Sequence, residues 1–108
     1  MLLWNKHHWE FQEEAKRLYA TCERWDLLNQ MYQAGGEWDK ALRVAEEQDR
    51  IHLRTTYFNY ARHLEVQGDL MGAAHMYEKA DAHRTQVPRM LLDDQRALEQ
   101  YVQKSKDP

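Results

Sequence analysis

A single cysteine, two prolines and four glycines in 108 residues each exclude something. With Cys22 alone no intrachain disulfide can form, and the chain suits a reducing compartment, so a cytoplasmic location is expected. Few prolines and glycines beside 31% charged and 11% aromatic residues exclude a low-complexity chain and describe a helix-rich globular one. No apolar run approaches the ~20 residues of a membrane span. The MLLW start lacks the basic flank and longer apolar core of a signal peptide, so no membrane insertion is expected. Positive charge is not in excess either: a net charge of −3 argues against a surface built to neutralise phosphates, and no nucleic-acid partner is expected. The length allows one domain, 1–108, with a core of its own.

What is present is a repeat. Laying Gly36 over Gly68 gives an offset of 32 that also pairs Glu37 with Asp69, Trp38 with Leu70, Ala41 with Ala73, Val44 with Met76 and Glu46 with Glu78. Carried backwards it pairs Trp25 with Tyr57, Leu28 with Tyr60, Asn29 with Ala61 and Tyr32 with Leu64, so each unit holds two helices.

In the first unit Trp25, Leu28, Met31 and Tyr32 share a helix face, which AGG then ends. Gly35 or Gly36 is the expected residue after that helix, where a left-handed backbone turns the chain without the ~1 to 2 kcal/mol that a Cβ costs. The partner helix shows Trp38, Ala41, Leu42 and Ala45 on one side, with Glu37 and Asp39 placed to complement its dipole. The second unit repeats this with Tyr57, Tyr60, Ala61 and Leu64, then Gly68, then Leu70, Ala73, Ala74, Tyr77 and Ala80. Two antiparallel helices joined by so short a turn cross closely, so Ala41 and Ala73 are expected contact points, with Tyr77 filling the space where the helices diverge.

Before these units, Phe11, Ala15, Leu18, Tyr19 and Cys22 form the apolar stripe of a further helix, which makes Cys22 a core residue in expectation. After them Pro88 is expected to set a break, followed by a helix that turns Leu91, Leu98, Tyr101 and Val102 inward. The expected helices are 9–23, 25–34, 37–48, 53–67, 69–82 and 90–105, an all-α, tetratricopeptide-like α-hairpin solenoid of five to six helices in antiparallel pairs. Trp4, Trp9 and Phe11 at one end, and Leu91, Leu92 and Tyr101 at the other, are not the polar caps a free solenoid carries, so a piece of a longer solenoid is expected.

Trp25, Leu28, Asn29, Tyr32, Ala41 and Ala45, then Tyr57, Tyr60, Ala61, Leu64, Ala73 and Tyr77, follow the tetratricopeptide pattern of aromatic, apolar and small positions. The departures are the offset of 32 against a usual ~34, Asn29 at a position that is usually small, and Ala45 where an aromatic is usual. The phrases DRIHLRTTY, YEKADAHR and VPRML are not explained by periodicity. With the surrounding sequence, over roughly residues 15 to 107, they resemble the helical-repeat region of intraflagellar transport complex A subunits of the one-hundred-forty-kilodalton type. That resemblance implies a fragment of a large protein whose N-terminal part is β-propellers, working at the cilium and ciliary base. It implies other complex A subunits and flanking repeats as partners, in retrograde transport and in the entry of membrane proteins to cilia.

Catalytic, cofactor and metal sites are not expected. Of the six histidines, His7 and His8 are adjacent, and His52, His63, His75 and His83 lie 11, 12 and 8 apart, without the tight convergent spacing of a zinc site. His52 and His83 are expected at helix boundaries instead. Cys22 has no Gly-rich turn beside it, and the pairs Glu13 and Glu14, Glu46 and Glu47, and Asp93 and Asp94 point ~100° apart on helices, as solvated surface does. No nucleophile, base and oxyanion stabiliser can be assembled, so no enzyme is expected.

Some tetratricopeptide grooves hold a partner's terminal carboxylate with a cation placed just after the first aromatic. Here that position is Asp26, and Asn59 alone cannot replace the cation, which excludes that mode. What remains for recognition is the basic set Arg50, Arg54, Arg62, Arg84 and Arg89, with Arg54, Arg62, Arg84 and Arg89 as the candidate interface. The competing expectation is that these arginines are consumed by Asp49, Asp81 and Asp93. The function expected is a non-catalytic scaffold segment, and the alternative is an autonomous peptide-binding adaptor.

Overall fold

The computed structural model describes residues 6–106. It consists of α1 (Lys6–Thr21), α2 (Trp25–Ala34), α3 (Trp38–Gln48), a 3-10 turn (Arg50–His52), α4 (Leu53–Val66), α5 (Leu70–Lys79) and α6 (His83–Lys106). The described residues contain no strand, so the expected all-α hairpin architecture is the observed one. None of these helices is long and apolar enough to cross a membrane.

Four of the five links between helices close in the same way. The amide three residues past the helix reaches back five residues: Arg24 to Tyr19, Glu37 to Tyr32, Asp69 to Leu64 and Ala82 to Tyr77, all at 2.8 to 2.9 Å. The residue before each of these donors has a positive φ: 58° at Glu23, 76° at Gly36, 91° at Gly68 and 58° at Asp81. Gly36, not Gly35, is therefore the turning residue after α2. The fifth link differs, since Asp49 has φ −147° and leads into the 3-10 turn.

The chain divides into Met1–Thr56 and Tyr57–Pro108, with the boundary inside α4. In the first unit α2 packs against α1 and α3. Ala41 and Ala45 on α3 are fully buried and Leu28 nearly so. Asn29, the polar residue at a usually small position, is buried too: its amide donates to Thr56 Oγ1 at 2.9 Å and its carbonyl accepts from Gln33 at 2.6 Å. Thr56 in turn donates to the His52 carbonyl at 2.7 Å, so the buried side chains of Asn29 and Thr56 both have partners.

In the second unit Ala61, Ala73, Tyr77 and Met90 form the buried cluster, with Phe58, Leu64, Leu70 and Val87 against it. The small residues of α5 divide by role. Ala73 is fully buried, as a close helix contact requires. Gly72 serves the helix start instead: Asp69 caps α5 by accepting the Gly72 amide at 3.0 Å, and a Cβ on Gly72 would run into that carboxylate.

Several expectations are corrected. α1 covers Lys6–Thr21 rather than 9–23, and Cys22 is exposed beyond its end, because the chain has already begun its left-handed closure there. Phe11 is 72% and Leu18 47% exposed. Pro88 does not break the chain but sits inside α6, which starts at His83 rather than 90. Proline removes one hydrogen bond and crowds the carbonyl four residues back; Pro88 and Arg84 both lie on the exposed side, where water can take that carbonyl. Beginning α6 earlier turns Met90 inward and leaves Leu91 54% exposed. Trp4, and the side chains of Trp9, Leu98, Tyr101 and Val102, lie outside the described residues.

Candidate interaction surface

Among the described residues no group of three or more His, Cys, Asp or Glu side chains converges as a metal site would. His52 closes the 3-10 turn and its Nδ1 lies 2.7 Å from Asp49 Oδ2; His83 begins α6. Both stand at the boundaries expected of them.

In the first unit an open pocket of about 270 Å³ surrounds Lys16, Tyr32, Glu37 and Lys40. Glu37 accepts from Lys16 and from Lys40, each at 3.1 Å, and both ammonium groups stand over the Tyr32 ring at 5.4 and 5.9 Å. The hydrogen bonds from Lys40 and Lys16 hold the Glu37 carboxyl below its ordinary value. Burial pulls the Lys16 ammonium down, but Glu37 and Glu13 outweigh it and raise it. This site is internally neutralised and ties α1 to α3.

The second unit holds a larger open pocket, about 400 Å³, lined by Phe58, Arg62, Glu65, Val66, Gln86 and Arg89, with Tyr77 beneath. Helix periodicity puts Phe58, Arg62 and Val66 in one row on α4, with Glu65 a turn along from Arg62. Arg89 comes from α6 and forks onto Glu65, Nη2 to Oε1 at 2.7 Å and Nη1 to Oε2 at 3.0 Å. Its Nη1 also reaches Asp93 at 3.0 Å, its Nε reaches Gln86 at 3.0 Å, and Nη2 stands 3.5 Å from the Tyr77 hydroxyl. Tyr77 donates to Glu65 at 2.8 Å. Arg89 lowers the Glu65 carboxyl, with burial opposing it, while burial first and Glu65 second raise the Tyr77 phenol. Every donor of Arg89 is engaged, and both oxygens of Glu65 are taken.

The four arginines of the expected interface are thus not equivalent. Arg62 and Arg89 share this pocket, Arg84 is exposed at the start of α6, and Arg54 is exposed on the first turn of α4, in the first unit. Arg89 is consumed by Glu65 and Asp93, so for this residue the competing expectation is the observed one. Arg54, Arg62 and Arg84 have no side-chain hydrogen bond or ion pair among the described residues. Asp49, an expected arginine partner, faces His52 instead. Glu65 and Tyr77 as a polar anchor escaped the sequence reading, because Glu65 and Arg89 stand 24 residues apart, outside any helix spacing.

The arrangement offers charge, hydrogen-bonding groups and exposed apolar side chains on paired helices, the elements of a protein-binding surface. The family model for the tetratricopeptide-repeat domain of the intraflagellar transport proteins 140 and 172 matches residues 6–108, and with its helices paired as hairpins this chain belongs to that family.

Proposed function

We propose that the chain is a non-catalytic assembly segment of an intraflagellar transport complex A subunit. In this reading it contributes to retrograde ciliary transport and to the entry of cargo into cilia by binding other complex A subunits. The observation that carries the reading is the family match across the full run of helix hairpins. Ile51, Val66 and Met71, each 87 to 88% exposed, together with the uncommitted Arg54, Arg62 and Arg84, supply contact chemistry that the fold itself does not use. Arg89 shapes the pocket of Phe58, Arg62 and Val66 in the second unit from within.

Gel filtration of the chain with purified complex A subunits tests the reading. Co-elution with at least one subunit is expected, and Arg54→Glu with Arg84→Glu should weaken it. Absence of co-elution with every subunit would end the proposal. Saturable binding of short peptides without any subunit association would establish the adaptor in its place.

A further inference from the structure

The Phe58, Arg62 and Arg89 pocket of the second unit contains a charge that no neighbour among the described residues pairs with. Arg62 lies three residues before Glu65 on α4, the spacing at which the two would ordinarily pair on a helix. Glu65 faces other partners: Arg89 bonds to both carboxylate oxygens and Tyr77 donates to one of them. Arg62 adds to the lowering of Glu65 through its charge, yet makes no hydrogen bond or ion pair among the described residues. It is exposed at the rim of the pocket, and the helix row it occupies carries Phe58 one turn before it and Val66, 88% exposed, one turn after. Phe58 is held in place edge-on against Tyr77, with ring centres 5.4 Å apart. The row therefore reads apolar, cation, apolar over a base made rigid by Arg89. Arg89 is matched by Glu65 and Asp93, and Arg62 is left at the rim as the cation with no bonded carboxylate, so what complements it there is an anion.

We infer that the Phe58, Arg62 and Val66 row of α4 receives an acidic amphipathic segment of a partner protein. One aspartate or glutamate carboxylate meets the Arg62 guanidinium, and apolar neighbours of that acid cover Val66 and the exposed part of Phe58. Arg89 does not contact the partner: its donors are full, and it keeps Glu65 from neutralising Arg62. This rests on the assembly reading above and names the chemistry of one contact within it.

The test uses the 108-residue chain and a short blocked peptide of leucine and glutamate in helical spacing, with the glutamine version of the same peptide as control. NMR of the arginine Nε–Hε groups reads the contact directly. A saturable shift at Arg62, weakening as salt rises, is expected from the glutamate peptide only, with the Arg89 resonance unmoved. Arg62→Gln should weaken binding at least about tenfold, the worth of one charge-assisted hydrogen bond, and Arg62→Lys should restore part of it. No shift at Arg62, equal shifts from the two peptides, or unchanged affinity in Arg62→Gln would each overturn the inference. If Arg62 is silent while subunits still co-elute, this contact alone falls; if Arg62 binds and no subunit co-elutes, the assembly reading falls.

Discussion

Asn29 and Thr56, 27 residues apart in the chain, are joined by a 2.9 Å side-chain hydrogen bond in a place where neither touches water. One offset of 32 further on, the same two positions are Ala61 and Pro88, which cannot make this bond. The first repeat thus carries a polar latch that the second lacks.

Breaking the latch leaves a buried polar group without its partner. Asn29→Ala is expected to cost about 1 to 3 kcal/mol in urea unfolding. The double variant Asn29→Ala with Thr56→Val should cost less than the sum of the two single changes, because they share one interaction. Strict additivity would show that the bond contributes nothing.

Ala73 has no room to grow. Ala73→Leu is expected to lower stability by about 1 to 3 kcal/mol, although leucine favours helix nearly as well as alanine. Met71→Leu, two residues away and 87% exposed, is the control and should leave the thermal midpoint in place.

The four left-handed closures predict changes of opposite sign. Gly68→Ala should cost about 1 kcal/mol although no atom lies within 4 Å of the added Cβ, since the cost resides in the backbone alone. Glu23→Gly and Asp81→Gly relieve the same conformation and should stabilise by a comparable ~1 kcal/mol. Thermal unfolding of the three variants checks both directions.

Acid should loosen the second unit through Glu65. Because Arg89 holds the folded carboxyl below its ordinary 4.5, the pair's contribution is complete above that value and is lost as pH falls through the lowered one. Urea midpoints of the chain and of Glu65→Gln should therefore differ most near neutral pH and converge in acid. A constant difference across that range would show that ionisation of Glu65 is immaterial.

The small and turning positions were legible in the sequence because they repeat: Gly36 with Gly68 at the turns and Ala41 with Ala73 in the core. The local requirement at each is severe, a left-handed backbone or a side chain no larger than methyl. The Glu65 and Arg89 fork was not legible, because its partners come from different helices and obey no period. Cys22 and Leu18 misled for a different reason. Both continue the spacing of an apolar stripe, but α1 ends before Cys22, and periodicity does not report where a helix stops. Leu18 lies within α1 and is 47% exposed, since periodicity does not report how far a neighbouring helix covers the stripe. Pro88 misled because its cost depends on whether the carbonyl it displaces can face water.

That proline gives Arg89 a second task. Without the amide of residue 88, the Arg84 carbonyl has no rung below it, and α6 has a seam near its start. The 3.0 Å bond from Arg89 to Gln86 spans that seam from side chain to side chain, as a splint crosses a fracture. The guanidinium that occupies Glu65 therefore also braces the helix where its own ladder is open, and trimming it would slacken both at once.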